Sequence, residues 1–298
     1  MRHHDRRTNA VLSRDTSKRK PRHSALRRRA LGSLRPRGSP HNLSSLSYLP
    51  FQTFRGAGGW WRNHEATRLA TPEAFSLDPS LVWQFYAYRR HKALLAKPNA
   101  AHLVLAEYTR QNPGKCFTIT QNVDGLSQRA GHPEGNIIVV HGDLWTLRCE
   151  RECGYEEKNL DDPLVPALKV DEEFPDDEDV PYIPRDKLPH CPKCRSLLRP
   201  GVVFFNEQLP GISAILRCVS DRTVSATDTV EEWLFKHHVD LILVIGTSGV
   251  VYPAAGYAWS VKMRGGKVAV FNIESDTTGG EKLDDWMFEG CPLCDITD

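Results

Sequence analysis

No stretch of the 298-residue chain approaches the roughly 18 consecutive apolar residues that a membrane-spanning helix needs, so a soluble protein with no membrane partner is expected. The chain also lacks the dense cysteine spacing of a small secreted domain. Its eight cysteines lie in a sequence long enough to bury a sizeable core as one large or two unequal domains. Acidic residues are almost missing from residues 1–47, which hold 13 Lys or Arg and two Asp. That tract shows no sustained apolar periodicity and is expected to be a disordered basic extension. It could serve as a transit segment, touch nucleic acid or import machinery as a basic tail, or do nothing. The net charge of +2 therefore hides a body, residues 48–298, with a charge of −9. An acidic body argues against nucleic-acid binding outside the basic tract.

What the sequence does contain is concentrated at the ends of short apolar runs. Cys116–Thr120 and 136–140 are β-branched runs bounded by turn residues, as in strands buried on both faces of a parallel sheet. Each ends in a polar cluster: Gln121, Asn122 and Asp124 after the first, His141, Gly142 and Asp143 after the second. Ligands of open α/β sheets collect at the carboxyl ends of strands. Either cluster alone is also ordinary loop chemistry. Two later runs repeat the pattern. Residues 240–245 lead into Gly246, Thr247 and Ser248, small and hydroxylated residues suited to phosphate or ribose; 267–271 lead into Asn272 and Glu274, where a carboxylate could accept ribose hydroxyls. Four polar strand ends form a stronger signal than one.

Two cysteine pairs, Cys149-x₃-Cys153 and Cys191-x₂-Cys194, have the spacing of metal knuckles that bring four thiolates round one structural Zn²⁺. Free buried thiols or a redox pair are the alternatives. Between the pairs, residues 161–180 carry nine acidic residues without calcium-loop spacing and read as a solvated excursion. Residues 79–96 read as a helix in which Val82, Phe85, Tyr86 and Arg89 share one face. Arg89 on that stripe reads, from the residues alone, as a snorkelling side chain at the core edge. Residues 100–109 form a second helical pattern, stopped by Asn112-Pro113-Gly114, and 201–205 are strand-like. The Gly-rich run 56–59 suits a ligand-covering loop but follows no strand, so by itself it fails the test for a phosphate loop.

In order along the chain, TFRGAGG at 53–59, TQNVDGLSQRAG at 120–131, VVHG at 139–142, the cysteine pairs and IGTSGVVYPAA at 245–255 resemble the sirtuins, NAD-dependent protein lysine deacylases. The resemblance spans roughly residues 50–290. It implies an α/β fold: a Rossmann-like parallel-sheet domain with a small zinc-ribbon-containing domain inserted at about 145–200. NAD and an acyl-lysine protein or peptide would meet between them, in a monomer. His141 would be the general base. Gln121, Asn122 and Asp124 would line the nicotinamide and ribose pocket, under a loop carrying Thr53, Phe54 and Arg55. Gly246, Thr247, Ser248, Asn272, Glu274 and Cys291 would hold the ribose and adenine side. Tyr86 and Arg89 resemble the Tyr-x-x-Arg of the class III branch, which removes succinyl, malonyl and glutaryl groups.

The sequence departs from the family in three places. No strand and GAG-x-S phosphate loop precede residue 53; Asn206 stands where the family usually has Gly before Glu; and residues 211–230 lengthen a connection. The first departure keeps open a second function, a catalytically weak peptide-docking module. Mono-ADP-ribosyl transfer, which would use the same pocket, is a third. A mitochondrial location is expected from the basic tract, with nucleus or cytosol as alternatives.

Overall fold

The structure, a computed structural model, describes residues 9–13, 60–62, 64–171, 180–207, 230, 234, 237–247, 249, 251–272 and 283–289. In chain order the strands are β1 (Asn9–Ser13), β2 (Trp60–Trp61), β3 (His64–Glu65), β4 (Cys116–Thr120), β5 (Ile137–Val139), β6 (Gly142–Cys149), β7 (Glu156–Lys158), β8 (Leu198–Val202), β9 (Leu241–Ile245), β10 (Lys267–Asn272) and β11 (Trp286–Glu289). The helices are α1 (Ala66–Leu69), α2 (Pro72–Leu77), α3 (Pro79–Leu95), α4 (Ala100–Gln111), α5 (Leu126–Arg129) and α6 (Ala254–Met263). Among the described residues, no helix is long and apolar enough to cross a membrane.

The large sheet has the order β11-β10-β9-β1-β4-β5. Its β9–β10, β10–β11 and β4–β5 pairs are parallel, as the buried apolar runs require. Ile119, Ile138, Ile242 and Val268 pack beneath it with Tyr257 and Val261 of α6. The exception is β1, which lies antiparallel between β4 and β9 with Asn9 opposite both Thr120 and Ile245. Residues 9–13 thus correct the expectation that the whole basic tract lies outside the fold. The slot between β4 and β9 leaves two rows of backbone N–H and C=O groups to satisfy, and the five residues NAVLS fill it. Five residues are too few to show a periodicity in sequence.

A second, three-stranded antiparallel sheet has the order β7-β6-β8. Strand β8 begins three residues earlier than the apolar run suggests and contains Pro200, which an edge strand tolerates because its missing N–H faces away from the ladder. Helix α3 packs on this sheet. Pro79 opens its first turn, and the Asp78 carboxylate accepts a hydrogen bond from the Leu81 N–H at 3.0 Å. Val82, Trp83, Phe85 and Tyr86 are buried against Leu144, Leu147, Leu198 and Phe204, and the Trp83 indole N–H donates to the Leu198 carbonyl at 2.9 Å. Arg90, also buried, donates to the carbonyls of Leu144, Asn159 and Asp161, fastening the helix to β6 and to the loop after β7. Helix α4 starts in a reciprocal cap between Asn99 and His102 and stops at Asn112, before Gly114 at φ +75°.

Candidate active site and metal centre

Only Val140 and His141 separate β5 of the large sheet from β6 of the small one. His141 therefore sits where the chain passes between sheets, and backbone bonds hold it there. The Val140 N–H donates to the Thr120 carbonyl at 3.0 Å, and the His141 carbonyl accepts from the Val203 N–H at 2.9 Å. Gly142 has φ +70°, and a Cβ there would lie 2.1 Å from the Gly201 carbonyl oxygen, so no other residue fits. The imidazole Nδ1 is 3.1 Å from the Gln121 carbonyl oxygen. Since a carbonyl only accepts, Nδ1 carries the proton and Nε2 the lone pair. Burial lowers the His141 pKa from its ordinary value, outweighing the opposing effect of that hydrogen bond. The result is a neutral imidazole at pH 7, able to accept a proton.

The end of β4 is stitched to the same place. Asp124 is buried, and its Oδ1 accepts the Leu126 N–H at 2.9 Å, closing an Asx-type turn that leads into α5. One of its oxygens is thus committed to the backbone beside the half-buried Gln121 and Asn122. Gly125, at φ +71°, has no room for a Cβ, which would fall 2.7 Å from the Trp145 indole nitrogen. Asp143 turns away from ligand chemistry: its carboxylate accepts the Trp145 and Thr146 N–H groups at 2.8 and 2.6 Å and the Thr146 hydroxyl at 3.0 Å.

At the ends of β9 and β10, the Gly246 N–H donates to the Phe271 carbonyl at 2.8 Å, and the Asn272 amide donates to the Thr247 carbonyl at 3.0 Å. Gly246, Thr247 and Asn272 are thereby brought together at the same sheet edge as Gln121, because β4, β9 and β10 run in one direction. Thr53, Phe54, Arg55, Ser248, Glu274 and Cys291 lie outside the described residues, as does the connection 211–229.

Tyr86 and Arg89 face one way from α3 and are both buried, at 0 % and 4 % exposure; Arg89 is not a snorkelling side chain at the core edge. The Tyr86 ring lies between Phe85 and Phe204, with centroids 4.9 and 5.7 Å away. Its hydroxyl has no hydrogen-bond partner among the described residues. Burial pushes the phenol pKa well up, against the smaller opposing effects of the Arg89 and Arg199 charges, so it stays a donor. Sequence reasoning missed Arg199 and the contact it makes. Arg199 forms a two-pronged ion pair with Glu207, Nη1 to Oε1 and Nη2 to Oε2 at 2.9 Å, with its guanidinium 4.0 Å over the Phe204 ring. Only the Arg and Glu themselves, eight positions apart, signal this in the sequence. Asn206 between them has φ +69°. That explains its place in a segment where the family has Gly, since Asn tolerates the left-handed region better than most side chains.

The four cysteine sulfurs of Cys149, Cys153, Cys191 and Cys194 all lie within 4.8 Å of one another, with Cys149–Cys194 at 3.3 Å and Cys153–Cys191 at 3.5 Å. Tetrahedral zinc with Zn–S bonds of about 2.3 Å places its sulfurs about 3.8 Å apart, so the donor set fits Zn²⁺. Each knuckle turns through a left-handed residue, Glu152 (φ +51°) before Cys153 and Arg195 (φ +64°) after Cys194. With four thiolates and no open position, the metal would be structural, not an electrophile.

Comparison with known proteins agrees with this arrangement. Residues 49–253 match the Sir2 family. The chain is 42% identical over 279 residues to an NAD-dependent protein deacylase of Candida albicans, covering 83% of this chain and 86% of that protein. It is 44% identical over 229 residues to the mitochondrial NAD-dependent protein deacylase sirtuin-5 of Canis lupus familiaris, covering 75% and 68%. Among solved structures, a Sir2 homologue in complex with NAD superposes with a TM-score of 0.62 at 36% identity, covering 81% of this chain and 78% of that one. A neutral histidine held between two sheets, polar strand ends at one end of the large sheet, a closed four-cysteine site and these relatives lead to one conclusion: the chain belongs to the Sir2 family of NAD-dependent protein deacylases.

Proposed function

We propose that this NAD-dependent protein deacylase acts on lysine side chains whose acyl group ends in a carboxylate, such as succinyl-lysine, releasing nicotinamide and O-acyl-ADP-ribose. The observation that carries the reading is the fully buried Tyr86 hydroxyl, left without a hydrogen-bond partner among the described residues, beside the buried Arg89. Burying a polar group unsatisfied costs about 1–3 kcal/mol, and a carboxylate accepting from that hydroxyl and from a guanidinium would remove the cost. An acetyl group would leave it in place.

The chemistry that NAD supplies when bound is an anomeric carbon activated by its nicotinamide leaving group. Gln121, Asn122 and Asp124 would line the nicotinamide end, and Gly246, Thr247 and Asn272 the ribose and adenine side. His141 Nε2, with its lone pair free, would accept a proton relayed from the nicotinamide ribose. Its lowered pKa keeps it available for that at neutral pH. The zinc module, residues about 145–200, would carry the wall against which the peptide docks.

The docking-module alternative is not favoured, because the relatives are named as deacylases and the His141 tautomer suits a base. A mitochondrial location is supported by the basic tract and by the name of the dog relative; imaging the tagged full chain against mitochondrial and nuclear markers tests it. The decisive experiment for function is kcat/KM on succinyl-lysine and acetyl-lysine peptides of one sequence. A preference of about tenfold or more for succinyl is expected from one charge-assisted hydrogen bond. Equal values would overturn the acyl preference, and absence of NAD binding at millimolar concentration would overturn the activity.

A further inference from the structure

Arg199 and Glu207 lie outside the pair of residues just assigned to the acyl carboxylate, yet they shape the wall that this pair faces. Arg199 lies over the Phe204 ring at 4.0 Å, while Tyr86 meets the same ring at 5.7 Å between centroids. Glu207 accepts both Arg199 prongs and also the Phe204 N–H at 2.8 Å. The turn is tight: the Glu207 N–H donates back to the Phe204 carbonyl at 3.2 Å, and Asn206 supplies the left-handed residue. One residue upstream, the Val203 N–H donates to the His141 carbonyl. The segment 203–207 thus runs from His141 to the Tyr86 ring; its far end is held by the ion pair together with the Phe205 N–H, which donates to the Ala70 carbonyl at 2.8 Å.

The pair also sets the charge around Tyr86. Arg89 and Arg199 are both felt by the phenol, and so is Glu207. Glu207 offsets the Arg199 charge, while the Arg89 charge also reaches the phenol.

Building on the carboxyl-acyl reading, we propose that Arg199 and Glu207 are positioning residues for acyl specificity. Their ion pair clamps Phe204 against Tyr86 and so holds the Tyr86 hydroxyl where the acyl carboxylate must meet it. Lys cannot replace Arg199 in this role, because it lacks both the planar face that stacks and the fork that grips both carboxylate oxygens.

The test compares succinyl-lysine and acetyl-lysine peptides of one sequence at saturating NAD, in Arg199→Lys, Arg199→Met, Glu207→Gln, Tyr86→Phe and the double variant Arg199→Met/Tyr86→Phe. Arg199→Met is expected to raise KM for the succinyl peptide about tenfold or more, with a change below about threefold for the acetyl peptide and little change in kcat. Arg199→Lys should behave like Arg199→Met, and Glu207→Gln should show the same selective loss more weakly. Because Arg199 acts through Tyr86, Arg199→Met should add little in the Tyr86→Phe background. Equal losses on both peptides, full retention in Arg199→Lys, or additive losses in the double variant would each overturn the proposal. Should Tyr86→Phe itself show no selective loss, the carboxyl-acyl reading fails as well. Selectivity at Tyr86 with none at Arg199 overturns this inference alone.

Discussion

His141 and Gln121, twenty positions apart, are joined by a 3.1 Å contact from the imidazole Nδ1 to the peptide carbonyl, and this contact ties the end of β5 to the end of β4. It fixes the His141 tautomer through a backbone carbonyl rather than a side chain. The adjoining Gly142 adds a backbone constraint, since the turn from His141 into β6 brings the chain within 2.1 Å of where a Cβ would be.

Replacing His141 with Ala should lower kcat by about 10²–10⁴, the usual contribution of a positioned base, without loss of bound zinc or of the unfolding midpoint beyond a small shift. In the parent enzyme the acid limb of kcat/KM should fall with an apparent pKa below the ordinary histidine value, because burial lowers it. The sign follows from the role: the neutral form is the active one, and a lowered pKa extends activity toward acid. An acid limb above pH 7 would contradict the assignment of His141.

Arg89→Met should lose far more desuccinylase than deacetylase activity. Removing a buried guanidinium from a carboxylate costs about 1.5–3 kcal/mol, or roughly 10- to 150-fold in kcat/KM for the succinyl peptide. Matched losses on both peptides would return Arg89 to a packing role.

Gly142→Ala should inactivate the protein by a different route. Its Cβ would overlap the Gly201 carbonyl, so β6 and β8 must separate next to His141. The expected result is a loss of several kcal/mol of stability, read as a lowered urea midpoint together with loss of turnover. An alanine variant with unchanged midpoint and activity would show that the strands have room to part.

Zinc removal should unfold the small sheet. Metal analysis should return one zinc per chain, and Cys194→Ser or a strong chelator should lower it together with the unfolding midpoint. Restoration of both by added Zn²⁺ separates loss of metal from irreversible damage. Catalysis with an intact midpoint after complete zinc removal would contradict a structural role.

Beneath β4, the buried His132 places Nε2 2.9 Å from the Thr118 hydroxyl and 3.4 Å from that of Thr109. Burial lowers its pKa, opposed by a hydrogen bond to the Pro133 carbonyl and assisted by the nearby Arg110 charge. A depressed histidine pKa gives stability that is present above the unfolded value, about 6.5, and is lost as pH falls below it. His132 alone should therefore remove up to about 1.4 kcal/mol per pH unit over that acid range. Urea titrations of the parent and of His132→Gln should show the shallower acid slope in the variant; identical slopes would exclude His132 as the cause.

The sequence by itself determined the strands that end in polar clusters, the long helix α3 and the paired cysteines. Each is a local pattern: a buried β-branched run, a 3.6-residue stripe with a Pro start, or a knuckle spacing. It also carried the family motifs, which are long enough to be read without geometry. Tertiary structure decided what lies between such patterns. Residues 9–13 join the sheet because β4 and β9 leave unpaired backbone groups on either side, a vacancy that no property of NAVLS announces. Asn206 replaces glycine because the turn requires a positive φ, not because it requires a missing side chain. Arg199 gains a role only when β8 and the turn after it fold its guanidinium over Phe204 and onto Glu207. Apolar periodicity encodes which face is buried; the meeting of two charges across a turn depends on distances that only the folded chain sets.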